Sequence, residues 1–144
     1  MKAVRLHKHG GPEVLVYEDV PDPEPGPGEI LIRVEAVAVN FADTMRRQNS
    51  PLYPYPSPPP FTPGGEVAGV VERIGPGVHS PEVGTRVFAF VGVGGSTGYA
   101  QFALADASQA IPIPPGLDAA GMHAAGRGAY GGVDDPGVRP ASAW

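Results

Sequence analysis

Glycine and proline gather in three stretches of this chain, and that grouping decides what the remainder can become. Of 21 glycines and 19 prolines in 144 residues, six fall within 21–28, nine within 51–65 and twelve within 112–144, leaving thirteen for everything else. Proline fixes φ and removes a backbone donor, so none of the three stretches is a helix interior or a central strand. Spread evenly, so much glycine and proline would mark a chain that does not fold. Grouped, it marks turns, one long loop and a tail, with short folded elements between them.

Most of those elements read as strands. Residues 2–7 place Val4 and Leu6 on one side, and 14–20 follow the turn signal Gly10-Gly11-Pro12. The clearest strand is 29–39, with Ile30, Ile32, Val34, Ala36 and Ala38 on one face and Arg33 and Glu35 on the other. One dry face and one wet face suit an antiparallel sheet. Further strands are expected over 66–74, 85–90, 99–105 and 109–113. They are separated by Gly75-Pro76-Gly77, by the glycine-rich stretch 92–98 and by a short polar turn.

One short helix is expected after Asn40. Asn40 is a good N-cap, and Asp43 three residues on favours both the cap and the helix dipole. Arg46 and Arg47 suit the last turn, and Asn49 tolerates the left-handed conformation that ends a helix. The following 50–63 holds seven prolines in fourteen residues and reads as an extended loop displaying Tyr53, Tyr55 and Phe61. Together these elements predict a mainly β domain with one short helix, a Greek-key-like or partly open antiparallel barrel over 1–117. Beyond Leu117 no apolar period is sustained, so 118–144 reads as a poorly ordered tail.

Composition removes whole function classes. The formal charge is −5, and the basic side chains stand singly or as the pair Arg46-Arg47, which leaves no footprint for nucleic acid. With no cysteine, thiolate chemistry and thiolate-bound zinc are excluded. No apolar run reaches the ~20 residues that span a bilayer, and Met1-Lys2-Ala3-Val4-Arg5 is no signal peptide. A cytoplasmic protein without a membrane partner is the expectation.

Five phrases, in order, carry a family likeness. They are His9-Gly10-Gly11-Pro12-Glu13-Val14-Leu15, Val37-Ala38-Val39-Asn40-Phe41-Ala42-Asp43, Pro63-Gly64-Gly65-Glu66-Val67-Ala68-Gly69-Val70-Val71, Gly84-Thr85-Arg86-Val87-Phe88 and Gly98-Tyr99-Ala100-Gln101. Together they resemble the zinc-independent quinone oxidoreductase (zeta-crystallin-like) branch of the medium-chain dehydrogenase/reductase superfamily. The resemblance implies a GroES-like barrel packed against a Rossmann domain, with NADPH in the cleft between them. It implies hydride transfer to a quinone or an α,β-unsaturated carbonyl.

In zinc-dependent relatives a Cys and a His-Glu pair hold the metal. Here Asn40 and Gly65 stand at the Cys and His positions, so no catalytic zinc is expected. The resemblance makes Asn40 and Tyr53 the catalytic residues, with Asn40, Phe41, Thr44 and Met45 on the cofactor side. Met45 stands where such relatives carry Tyr, and about two extra residues precede Tyr53.

No Rossmann domain is legible. Gly92-Val93-Gly94-Gly95 and Gly126-Arg127-Gly128-Ala129-Tyr130-Gly131 are the glycine-rich candidates. The second fits a G-x-G-x-x-G spacing but follows no apolar strand. The expectation is that the family frame is lost near residue 120, by frameshift or truncation, and that the fragment alone is nearly inactive. Two other classes compete: a non-enzymatic module pairing with a second copy or a separate Rossmann domain, and a decayed gene product.

Plainer readings stand beside these. Asp43 reads as a capping residue, Met45 as packed on the barrel and Tyr99 as a barrel aromatic. Glu66 is expected to cap amides or to pair with Arg47 or Arg73, and His7 and His9 lack a third ligand for a metal.

Overall fold

The computed structural model describes residues 1–55, 57–91 and 98–117. The tail 118–144 and both glycine-rich candidates thus lie outside the described residues.

Among the described residues seven strands and one α-helix follow the expected order: β1 (Lys2–Leu6), β2 (Leu15–Asp19), β3 (Glu29–Val37), α1 (Phe41–Arg47), β4 (Glu66–Ile74), β5 (Arg86–Phe90), β6 (Phe102–Asp106) and β7 (Ala110–Pro112). Pro12 opens a 3₁₀ turn over Pro12–Val14, which shortens the expected strand after it. β1 and β2 form an antiparallel ribbon with Lys2 opposite Asp19 and Leu6 opposite Leu15. The other five make one antiparallel sheet in the order β6-β3-β4-β5-β7.

That order curls the sheet. β6 and β7 are its two edges, yet only the three-residue 3₁₀ turn Ala107–Gln109 separates them in sequence. Three residues span at most about 10 Å, so the edges must approach and the sheet becomes a partly open barrel, as the sequence predicts. Bulges sharpen the bend. The β3–β4 register slips between Leu31 and Ile32 and again between Val34 and Ala36. Near the second slip Gly69 passes so close to the Arg33 carbonyl that no Cβ would fit.

Ile30, Ile32, Val67, Val71, Val87, Ala89, Ala103 and Ala105 fill the inside. Burial of each large one stabilises by roughly 1.5–3 kcal/mol. The expected wet face of β3 is present: Arg33 pairs with Glu72 at 3.3 Å and Glu35 with Arg86 at 3.0 Å. Leu31 departs from the alternation, since it too is buried.

Residues 99–101, expected to begin a strand, serve the ribbon first. Val4 N donates to Tyr99 O at 2.8 Å and Gln101 N to Lys2 O at 3.0 Å, before β6 pairs with β3. The Pro-rich loop is seated at its far end. Leu6 and Phe61 exchange backbone hydrogen bonds of 2.9 and 3.1 Å, and with Val14 they form a small second core. Phe61 is therefore buried, not displayed as the sequence suggested. Tyr55 is exposed as expected.

Candidate functional site

The site is built around α1. Asn40 precedes it with extended backbone (φ −105°, ψ 156°), and its amide donates to Asp43 Oδ2 at 2.8 Å. The other end closes as the sequence implies. Asn49 takes φ 52°, Ser50 N donates to Met45 O at 2.9 Å and Asn49 N to Arg46 O at 3.1 Å, the paired bonds of a Schellman termination. Arg47 adds a brace: its guanidinium donates to Gly10 O at 2.5 Å while Gly10 N donates to Arg47 O at 3.0 Å.

Asp43 does more than cap. It is 7 % exposed, and its carboxylate also accepts from Gly64 N at 3.1 Å and from the Tyr99 hydroxyl at 3.2 Å. One side chain thus joins the helix start, the end of the Pro-rich loop and the segment entering β6. Burial, and then the Asp43 charge and hydrogen bond, push the Tyr99 phenol well above its ordinary value. Sequence reasoning found Asp43 as a cap and Tyr99 as an aromatic, but no spacing rule links residues 56 apart.

Gly64 and Gly98 let these segments touch. Gly64 has φ 96°, and Gly98 N donates to Gly64 O at 3.2 Å while Tyr99 N donates to Pro63 O at 2.9 Å. Gly65 differs: a Cβ built there meets nothing within 4 Å. It lies between Gly64, bonded to Asp43, and Glu66, whose carbonyl accepts from Ala38 N at 3.1 Å. Asp43 thus links the Asn40 backbone to Gly64, and the next residue, Gly65, has room for a side chain.

The residues assigned to the cofactor side spread along α1. Phe41 is 76 % exposed, in line with exposed Val37 and Val39. The Thr44 hydroxyl donates to Phe41 O at 2.7 Å. Met45 is half-buried and, with Arg46, Asn49, Tyr53 and Tyr55, lines an open concavity of ≈ 300 Å³. Tyr53 sits there beneath the Arg46 guanidinium (5.8 Å), edge-on to Tyr55 (5.8 Å), and Arg46 Nε donates to Ser57 Oγ at 3.0 Å. Asn40 is not among the lining residues. The two assigned catalytic residues stand at opposite ends of α1.

One pairing expected from the sequence is revised. Arg73 cannot meet Glu66, because it lies seven residues along the same strand, roughly 23 Å away, and it pairs with Glu24. The histidines diverge: His7 Nε2 faces Glu18 at 2.9 Å, and His9 Nδ1 lies 3.2 Å from Arg46 O at the helix end. Among the described residues no three His, Cys, Asp or Glu side chains converge on a metal position, and no helix is long and apolar enough to cross a membrane.

Comparison with known proteins places this geometry. Residues 26–115 match the alcohol dehydrogenase GroES-like domain. The chain is 42 % identical over 119 residues to a quinone oxidoreductase of Rattus norvegicus, covering 82 % of this chain and 35 % of that protein. It is 40 % identical over 124 residues to a 2-haloacrylate reductase of Burkholderia sp., covering 86 % and 37 %. A quinone oxidoreductase of Thermus thermophilus, solved alone and with NADPH, superposes with a TM-score of 0.71 at 38 % identity, covering 86 % of this chain and 36 % of that one. The chain thus spans about a third of the length of the relatives it matches. It belongs to the alcohol dehydrogenase GroES-like domain family, and within it resembles the N-terminal portion of the quinone oxidoreductases.

Proposed function

We propose that this chain supplies the substrate-side wall of a zinc-free, NADPH-dependent quinone or enone reductase. The observation that carries the reading is Asn40 held at the start of α1 by Asp43, which also accepts from Gly64 N next to the open Gly65, in a family member without cysteine. NADPH, when bound, would supply the hydride. The task left to the protein is to meet negative charge developing on the acceptor oxygen, and the Asn40 side-chain amide is a donor suited to it. Phe41, Thr44 and Met45 form the cofactor-side surface, and Tyr53 belongs to the concavity that receives the far end of the acceptor.

This reading gives the flat ring end of the dinucleotide to the surface around exposed Phe41. Among the described residues, Arg46 and Arg47, the cations on α1, are engaged with Ser57 and Gly10 and are not assigned to its phosphates. Hydride transfer needs the ring held within near-attack distance, so a second surface must grip the nucleotide.

The test is a chimera in which residues 1–117 replace the matching N-terminal portion of the Thermus thermophilus relative. NADPH oxidation with 1,4-benzoquinone is expected in the chimera and not in the isolated chain. A folded chimera that binds NADPH but reduces no quinone would sink the reading. Exposure of Val39 (73 %) and Phe41 (76 %) favours a second reading, a barrel that binds another chain through this apolar strip. Sedimentation as a clean monomer that binds no hydrophobic dye speaks against it.

A further inference from the structure

We infer that Asp43 is the positioning residue of the site, a buried clamp that fixes Asn40 against the barrel by joining the helix start to Gly64 and Tyr99. The inference rests on the role proposed for Asn40 and adds to it the group that sets its place. Three donors from three separate segments converge on one carboxylate: Asn40 N, Gly64 N and the Tyr99 hydroxyl, at 2.8, 3.1 and 3.2 Å. A cap needs only the first of these. The other two tie α1 to residues 21 and 56 positions away, so the helix start cannot shift without breaking them.

The clamp is local to the site. A helix of seven residues has little intrinsic stability. Its far end is fixed separately by Arg47 and Gly10. Removing the carboxylate leaves the Gly64 amide buried without its acceptor, in a turn where Gly98 and Tyr99 are bonded to Gly64 and Pro63. The disturbance should therefore pass to Gly98 and Tyr99, neither of whose amides touches Asp43.

Amide hydrogen exchange of the full chain, read by NMR, tests the clamp. Asp43→Ala is expected to speed exchange at Gly98 and Tyr99 about tenfold, with the strand amides of Ile32 and Val71 unchanged. Unchanged exchange at Gly98 and Tyr99 overturns it. If Asp43→Ala does not fold, Tyr99→Phe is read instead: selective acceleration at Asn40 and Gly64 supports the clamp, and none overturns it. The link to Asn40 is read in the chimera. If Asp43 acts through Asn40, the loss in kcat from Asp43→Ala largely vanishes in an Asn40→Ala background, whereas additive losses overturn the positioning role. If Asn40→Ala itself leaves kcat unchanged, the reductase reading falls while the exchange result still decides the clamp.

Discussion

Gly64 lies against Tyr99 so closely that a Cβ on the glycine would stand 2.6 Å from the ring carbon Cδ1 and 2.9 Å from the backbone nitrogen. Its φ of 96° is also one that side chains rarely adopt. Two independent penalties therefore coincide at this residue. Gly65, one position on, carries neither. The pair of glycines is a single phrase in the sequence with two different purposes: the first permits contact, and the second leaves space.

Gly64→Ala is accordingly expected to destabilise by at least about 2 kcal/mol. Gly65→Ala should be neutral or stabilise by up to about 1 kcal/mol through the unfolded chain. Urea unfolding checks both, and a lower midpoint with an unchanged slope identifies a true loss of stability. Equal effects from the two substitutions would show that the Gly64–Tyr99 contact is not as described.

Tyr99 should titrate late. Burial and the neighbouring Asp43 carboxylate favour the neutral phenol, so its pKa is raised in the folded state. The stability this contributes is fully present below the unfolded value, about 10. It is lost as pH climbs from there through the folded value, because the unfolded chain gives up a proton the folded one keeps. Phenolate absorbance followed upward in pH should show a high step that Tyr99→Phe removes. Its persistence in that variant would reassign it.

Arg47 is 8 % exposed and exchanges hydrogen bonds with Gly10 in both directions, by side chain and by backbone. Arg47→Ala is expected to cost about 2–3 kcal/mol. Arg47→Lys should recover less than half, since an ammonium lacks the planar fork. Thermal melts of both variants settle this, and full recovery by lysine would mean that charge alone matters there.

The two ends of α1 should separate kinetically in the chimera. Asn40→Ala is expected to lower kcat by about 10²–10³-fold, the loss typical of a donor to a developing oxyanion. Tyr53→Phe, altered in the concavity beyond Met45, should raise KM for the quinone with little change in kcat. Steady-state kinetics distinguish the two patterns. A large fall in kcat from Tyr53→Phe would move the chemistry to that end of the helix.

What could be read in advance was local. Alternation along 29–39 announced a half-wet strand, which the structure ends at Val37, and Arg33 and Glu35 do face solvent, each paired across the sheet. Asn40, Asp43 and Asn49 marked both ends of α1, because capping chemistry acts within one turn. Phe61 was misread as displayed, since its burial depends on Leu6 and Val14, far upstream. The strand expected from Tyr99 begins only at Phe102 for a similar reason: the backbone of 99–101 is bonded to β1, a partner nearly a hundred residues upstream.

The order of residues by itself determined the kind and order of the elements, their turns and the family to which the barrel belongs. Each depends on side chains a few positions apart. Only the tertiary structure decided that Asp43 is a junction, that Gly64 must stay bare beside Tyr99, and that Phe61 packs with Leu6 and Val14. Those relationships arise where a curled sheet brings distant segments within hydrogen-bonding range, and a range of about 3 Å leaves no periodic trace along a chain.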